Sequence, residues 1–233
     1  MIDIHTHILY NIDDGVKFIE DSIDLIQSEI ENDIDAVVLT PHFDPLYDSF
    51  EKFIEKRDER YNVLSKAIKD MGLNVTLYMG SEVFYSQVLL YYNTLNPLCF
   101  NNKYLLIEFS PVQKFDKKFF NDFGKIIKKF DVVPIIAHVE MYTQIIRHYK
   151  KIYNFRDLGC IIQVNADSIL DTEYEKFIKK IFEFDLADIV ASDCHDKIKR
   201  PPRLKQAMET IKNIYGEAYY EKILVNQKNI QNN

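Results

Sequence analysis

A chain of 233 residues with 47% hydrophobic content can bury a substantial core, and its formal charge of −7 offers no basic footprint for a nucleic-acid backbone. Three cysteines, Cys99, Cys160 and Cys194, share no CxxC spacing and leave one unpaired, which argues against a disulfide framework. No apolar run approaches the ~20 residues of a membrane span and no basic-plus-apolar leader opens the chain, so the expectation is a cytoplasmic protein without membrane insertion.

The chain begins Met1-Ile2-Asp3-Ile4-His5-Thr6-His7, an alternating start that reads as a short strand. Positions i and i+2 of extended backbone share a side, so His5 and His7 aim both imidazoles at one point. Ile19, Ile23, Ile26 and Ile30 recur at helical spacing and predict a helix near 17–32. Ala36 to Thr40 is a buried strand ending in Pro41-His42. Phe50, Phe53, Ile54, Tyr61, Leu64 and Ile68 mark a second helix, stopped by Gly72. Val75 to Met79 is the next strand, followed by Gly80-Ser81-Glu82; residues 86–102 are less regular, with a short helix and a loop near Pro97. Tyr104 to Ile107 leads into Glu108, and Phe115, Phe119, Phe123, Ile126 and Phe130 form another helical stripe. Val132 to Ala137 is a strand leading into His138, and residues 142–154 read as a helix. Cys160 to Val164 is a sixth strand ending at Asn165, and 168–184 a further helix. Asp188 to Ser192 is a seventh strand, ending in Asp193-Cys194-His195. Pro201-Pro202 open a helix on Leu204, Met208 and Ile211 that stops at Gly216, and the tail beyond Val225 is polar. No linker, repeat or low-complexity segment interrupts the chain, so residues 1–233 are expected to form a single domain. Seven strands alternating with helices predict an α/β fold with a parallel sheet, closed into a barrel in preference to an open doubly wound sheet.

The ligand-type residues line up with the strand ends. His5 and His7 follow the first strand, His42 the second, Glu82 the third, Glu108 the fourth, His138 the fifth, and Asp193 with His195 the seventh. Residues at the C-terminal strand ends of a parallel barrel converge on one face. Five of the six histidines lie at such ends; His148, inside a predicted helix, does not. Imidazoles mixed with carboxylates suit zinc, manganese or iron better than a Cys-rich structural zinc site. With Asp14 the set holds nine candidate ligands, too many for one ion, so two or three ions sharing bridging carboxylates are expected. Such clusters acidify a water and neutralise phosphate charge, which points to a multinuclear metallohydrolase of phosphate esters. Amidohydrolases and deamidases, which also use HxH on a first strand, stay open at this point.

Asp3-Ile4-His5-Thr6-His7, Thr40-Pro41-His42, Glu82, Glu108, Ala137-His138-Val139-Glu140 and Ser192-Asp193-Cys194-His195 resemble the PHP (polymerase and histidinol phosphatase) superfamily. Asp13-Asp14-Gly15, Ile107-Glu108-Phe109, Gln163-Val164-Asn165-Ala166 and Arg200-Pro201-Pro202 resemble its bacterial CpsB/CapC-type phosphatases, over nearly the whole chain. The resemblance implies a distorted TIM-like (β/α)7 barrel of the PHP type and a manganese-dependent protein-tyrosine phosphatase. Its partner would be a bacterial tyrosine kinase that controls capsule or exopolysaccharide synthesis. It carries His5, His7, Asp14, His42, Glu82, Glu108, His138, Asp193 and His195 over as ligands of three divalent ions, manganese first, iron or zinc next. It also carries Arg200 over as the phosphate-binding catalytic cation. A small-molecule phosphatase acting on histidinol phosphate, and a non-catalytic regulatory PHP domain, are the competing readings. Asp3 and Asn165 read as supports beside the ligands, Tyr85 as either a pocket wall or core, and Cys194 as turned away by strand alternation. One position departs from the pattern: Met141 stands where the family carries an arginine, and a thioether cannot clamp a phosphate as a guanidinium fork does.

Overall fold

Apolar runs and amphipathic stripes fold into strands and helices in turn, and a computed structural model describes residues 1–232. The first half contains β1 (Ile2–Thr6), α1 (Ile19–Glu31), β2 (Ala36–Leu39), β3 (His42–Phe43), α2 (Phe50–Asp70), β4 (Thr76–Met79), β5 (Glu82–Phe84) and β6 (Tyr104–Glu108). There follow α3 (Lys117–Phe130), β7 (Val133–Ile136), α4 (Thr143–Arg147), α5 (Lys151–Asp157), β8 (Ile161–Asn165), α6 (Ala166–Leu170), α7 (Glu175–Glu183), β9 (Ile189–Ala191), α8 (Leu204–Tyr215) and α9 (Glu217–Asn232). Short 3-10 turns cover Gln87–Tyr91, Asn96–Leu98 and Val139–Met141.

All strand pairs are parallel: β1 with β2, β2 with β4, β3 with β5, and then β5 through β9 in sequence order. β2 and β3 are one run interrupted at Thr40-Pro41, where proline supplies no ladder donor, and β4 and β5 are one run interrupted at Gly80-Ser81. Seven strand positions result, as the sequence predicts. The ring closes where β9 runs past β1: Asp193 N–H donates to His5 C=O (2.9 Å) and His7 N–H to Cys194 C=O (2.8 Å). Those bonds decide for the barrel over the open sheet.

Most strands are buried on both faces, the exception being β4, whose Thr76 is exposed and whose Leu77, Tyr78 and Met79 are half-buried. Ile2, Ile4, Ala36, Val38, Leu106 and Ile135 fill the barrel, whereas Val37, Leu39, Leu105, Ile107 and Ile136 face the helices. Burial of each such side chain contributes roughly 1.5–3 kcal/mol. The stripe on α3 buries Phe119, Phe123, Ile126 and Phe130 as expected, and the Asp116 carboxylate caps this helix by accepting from Phe119 N–H (2.8 Å). Tyr85 packs against Phe109, Phe119 and Phe123, which settles it as core.

Two predicted helices are divided. The stretch 142–154 becomes α4 and α5, with His148 exposed between them, and each piece keeps its own buried pair, Tyr142 with Ile145 and Ile152 with Phe155. The stretch 168–184 becomes α6 and α7 around a turn in which Asp171 accepts from Glu173 N–H (2.8 Å), the local chemistry by which aspartate competes with helix. The polar tail is helical too: α9 covers the N-terminal end of the barrel. No helix among the described residues is long and apolar enough to cross a membrane.

Candidate metal centre

At the opposite, C-terminal end of the strands, β1 changes phase. Its register against β2 shifts between Asp3 and Thr6, so Ile2 and Ile4 point into the barrel and His5 and His7 follow on the same inner side. Their Nε2 atoms stand 3.2 Å apart. Nδ1 of each ring meets an oxygen: His5 donates to Gln163 Oε1 (3.0 Å) and His7 to Asp13 Oδ2 (2.7 Å). Gln163 is oriented in turn, its amide N–H₂ donating to Asn165 Oδ1 (2.6 Å) while its oxygen accepts from His138 N–H (3.1 Å). With Nδ1 protonated, both Nε2 lone pairs face the centre.

The carboxylates meet them there. Glu82 Oε2 lies 3.1 Å from each of the two Nε2 atoms and 3.2 Å from His42 Nδ1, and Glu82 Oε1 lies 2.8 Å from His138 Nε2. Asp193 Oδ1 lies 3.4 Å from both Nε2 atoms, buried and without a hydrogen bond. Glu108 stands 3.1 Å from His42 Nδ1, and Asp14 Oδ1 stands 3.5 Å from His42 Nε2 and 3.4 Å from His195 Nε2. His138 and Asp193 hold φ of 30° and 54°, a left-handed backbone disfavoured for side chains with a Cβ and found where structure dictates a functional orientation.

Three groups of donors could each hold an ion: His5, His7, Glu82 and Asp193; His42, Glu82 and Glu108; and His7, Asp14, His42 and His195. The chemistry of the first group fits a cation closely. Two imidazole lone pairs and two carboxylate oxygens repel one another unless positive charge lies among them. Donors about 2.0–2.2 Å from one tetrahedral ion stand about 3.3–3.6 Å apart, close to the separations found.

Electrostatics shows the same demand for positive charge. Burial opposes ionisation of Glu82 and Asp193, yet the surrounding imidazoles, His5 foremost, hold both carboxyls far below the usual range. Burial likewise opposes charge on His138, but its hydrogen bond to Glu82 and that residue's charge lift it to about 9. His7 and His42 are raised against burial by hydrogen bonds to Asp13 and Glu108 respectively. His195 falls to about 4, through burial and then the positive charge of His7.

All nine residues singled out in the sequence therefore meet at one mouth. Arg200, the tenth, lines the adjoining cavity of about 500 Å³; its Nη2 donates to Asp193 Oδ2 (2.6 Å) and its Nη1 to His195 Nε2 (2.9 Å). Asn165 also donates to Asp193 Oδ2 (2.7 Å), and Asp3 accepts from Ser192 N–H (3.1 Å), which bears out their supporting parts. Cys194 and Arg200 also stand at the Cys-x5-Arg spacing of thiolate phosphatases, a match that the strand-end reading overlooks. The structure separates them: Cys194 is fully buried with Sγ 3.8 Å from Glu29 Oε1, and burial pushes its thiol well above the ordinary range. The strand-end pattern passes over Asp13 and Gln163, although Asp13 stands in Asp13-Asp14-Gly15 and Gln163 in Gln163-Val164-Asn165-Ala166.

A parallel barrel with imidazoles and carboxylates gathered at its C-terminal mouth is the arrangement of metal-dependent barrel hydrolases. The family model described as capsular polysaccharide synthesis, CpsB/CapC, matches residues 1–231, and the chain belongs to that family. It is 29% identical over 239 residues to the tyrosine-protein phosphatase CpsB of Streptococcus pneumoniae, covering 97% of this chain and 95% of that one. It is 28% identical over 228 residues to CpsB of Streptococcus agalactiae serotype III, covering 93% and 92%. A solved structure from the pair YwqE of Bacillus subtilis and CpsB of S. pneumoniae, described as metal-dependent tyrosine phosphatases, superposes with a TM-score of 0.86. Its sequence identity is 24%, with 99% of this chain and 94% of that one covered, and it confirms the fold.

Proposed function

We propose that this chain is a metal-dependent phosphotyrosine-protein phosphatase. The observation that carries the reading is the convergence of nine ligand-type side chains at one mouth, with the two oxygens of Glu82 facing different donors. Three ion positions account for the set. His5, His7, Glu82 and Asp193 would hold the first; His42, Glu82 and Glu108, with His138 on the other oxygen of Glu82, the second; and His7, Asp14, His42 and His195 the third. Manganese is the metal we assign, with iron and zinc compatible with the same ligands. Divalent ions held there supply Lewis acidity, which acidifies a water for attack and offsets phosphate charge.

The chain's own residues do the rest. Asp13 and Gln163 hold His7 and His5 in the tautomer that presents Nε2. Arg200 is the one arginine or lysine lining the cavity among the described residues. A guanidinium has five N–H donors; Nη2 stays on Asp193, and with His195 Nε2 given to a metal the remaining donors would be available to non-bridging phosphate oxygens. The cytoplasmic substrate we infer is a phosphotyrosyl protein, a bacterial tyrosine kinase governing capsule or exopolysaccharide synthesis. The family's description and the names of the relatives support this.

The test is turnover of phosphotyrosyl peptide, phosphoseryl peptide and histidinol phosphate by one preparation of known metal content. Phosphotyrosyl peptide should have the highest kcat/KM, with chelation abolishing it. Arg200→Ala should lower that value about 30- to 1000-fold with metal retained, the loss of one bidentate charge-assisted contact. Preference for histidinol phosphate would transfer the protein to small-molecule chemistry. Absence of turnover at full metal occupancy would leave a binding domain.

A further inference from the structure

The departure at Met141 becomes informative once its surroundings are seen. Met141 ends the 3-10 turn after β7, is 44% exposed, and lines the cavity above the metal centre. Tyr174, at the turn before α7, reaches across and its O–H donates to Met141 Sδ (3.5 Å). Phe84 and Pro111 line the same cavity. Glu82 and Asp193, which also line it, are 1% and 3% exposed, so these carboxylates lie deep while Met141 stands at the rim.

Charge fixes the direction in which an ester enters. Arg200, its side chain 42% exposed, donates to the buried Asp193 beside the donor cluster, so a phosphate group is drawn there. Tyr174 stands instead beside Asp171, its N–H donating to Asp171 C=O (3.2 Å), and that carboxylate, which also lines the cavity, repels a dianion. The wall at Met141 is thus suited to the organic portion of the ester. A thioether makes favourable contacts with aromatic rings, and a cavity of about 500 Å³ has room for one.

We propose that Met141, braced by Tyr174, is a specificity-determining residue: the two form an aryl-binding wall that selects aromatic over alkyl phosphate monoesters. This rests on the phosphatase reading above and assigns the substrate's ring to the Met141 side of the cavity. Selectivity here comes from apolar contact with the leaving group, and phosphate holding is left to Arg200 and the centre.

The experiment compares metal-loaded wild type, Met141→Gln and Met141→Leu. Calorimetry measures the affinities of phenylphosphonate and methylphosphonate, and kinetics measures kcat/KM for phenyl phosphate and ethyl phosphate. The intrinsic difference between leaving groups cancels when ratios are compared among variants. Met141→Gln, nearly isosteric but polar, should lower both aryl-to-alkyl ratios about tenfold, the scale of one lost apolar contact in a pocket. Met141→Leu should hold them within about twofold. Unchanged ratios in Met141→Gln, equal losses in Gln and Leu, or no binding of either phosphonate would overturn the wall. Wild type that binds phenylphosphonate selectively but turns over neither ester would overturn the phosphatase reading and leave the wall standing.

Discussion

Asp13, Asp14 and Gly15 are adjacent in sequence and meet three separate physical requirements. Asp14 faces the third group of donors. Asp13 turns back to accept from Nδ1 of His7 and the backbone N–H of His42 (3.1 Å), and against burial the hydrogen bond and charge of His7, with the Gly15 N–H, hold its carboxyl down at about 2. Gly15 passes so close to β1 that a Cβ would sit 2.2 Å from His7 C=O, leaving no room for any side chain. Removing the Asp13 acceptor frees His7 to rotate or change tautomer without deleting a ligand. Asp13→Ala should weaken manganese binding about 10- to 100-fold. Competition with a chelator measures it, and an unchanged dissociation constant would mean that packing alone orients His7.

Among the elements, α9 shows how a weakly patterned helix can hold a barrel together. Its buried side chains are Ile223, Gln227 and Ile230. Ile230 joins the barrel-filling core, and Gln227 Nε2 donates to Ile2 C=O (3.1 Å) and Val190 C=O (2.7 Å), spanning the β1–β9 seam at its N-terminal end. The main-chain bonds around Asp193 and His7 tie the same seam at the other end. Gln227→Leu keeps the volume but strips a donor from two buried carbonyls, at a cost of about 1–3 kcal/mol. A lowered urea midpoint with an unchanged m-value is expected in both chelated and metal-loaded protein. No shift in the midpoint would show the seam to be held from the other end alone.

For the whole molecule, the centre couples stability to pH in opposite senses with and without metal. His138 is lifted from an ordinary 6.5 to about 9, and His7 and His42 move the same way, so the folded metal-free protein binds protons that the unfolded chain has released. The stability these imidazoles contribute is complete below about pH 6.5 and is lost as pH rises to about 9, on the order of 3 kcal/mol for His138. His195, lowered to about 4, contributes nothing to this window, because its stabilising effect is lost only below 6.5. Metal and protons compete for the same nitrogens, so loaded protein should gain stability as pH rises from about 5 to 8. Thermal melts of chelated and manganese-loaded protein should therefore slope in opposite directions; parallel profiles would show that the titrating imidazoles are not the metal's ligands.

The strands and the ligand set were legible in the sequence because both follow from local rules. Apolar runs and helical stripes mark alternating elements, and parallel topology brings strand ends to one face, so His5, His42, Glu82, His138 and Asp193 could be grouped before any distance was known. The helix at 217–232 was not legible, since its contacts are made by Gln227 and two well-separated isoleucines, a pattern too sparse to give a periodic signal. Closure of the barrel, the tautomers set by Asp13 and Gln163, the burial of Cys194 away from Arg200, and the pairing of Met141 with Tyr174 all join residues remote in the chain or on opposite faces of one turn. Local propensity carries no information about such contacts; they exist only once packing has fixed which side chains share a space.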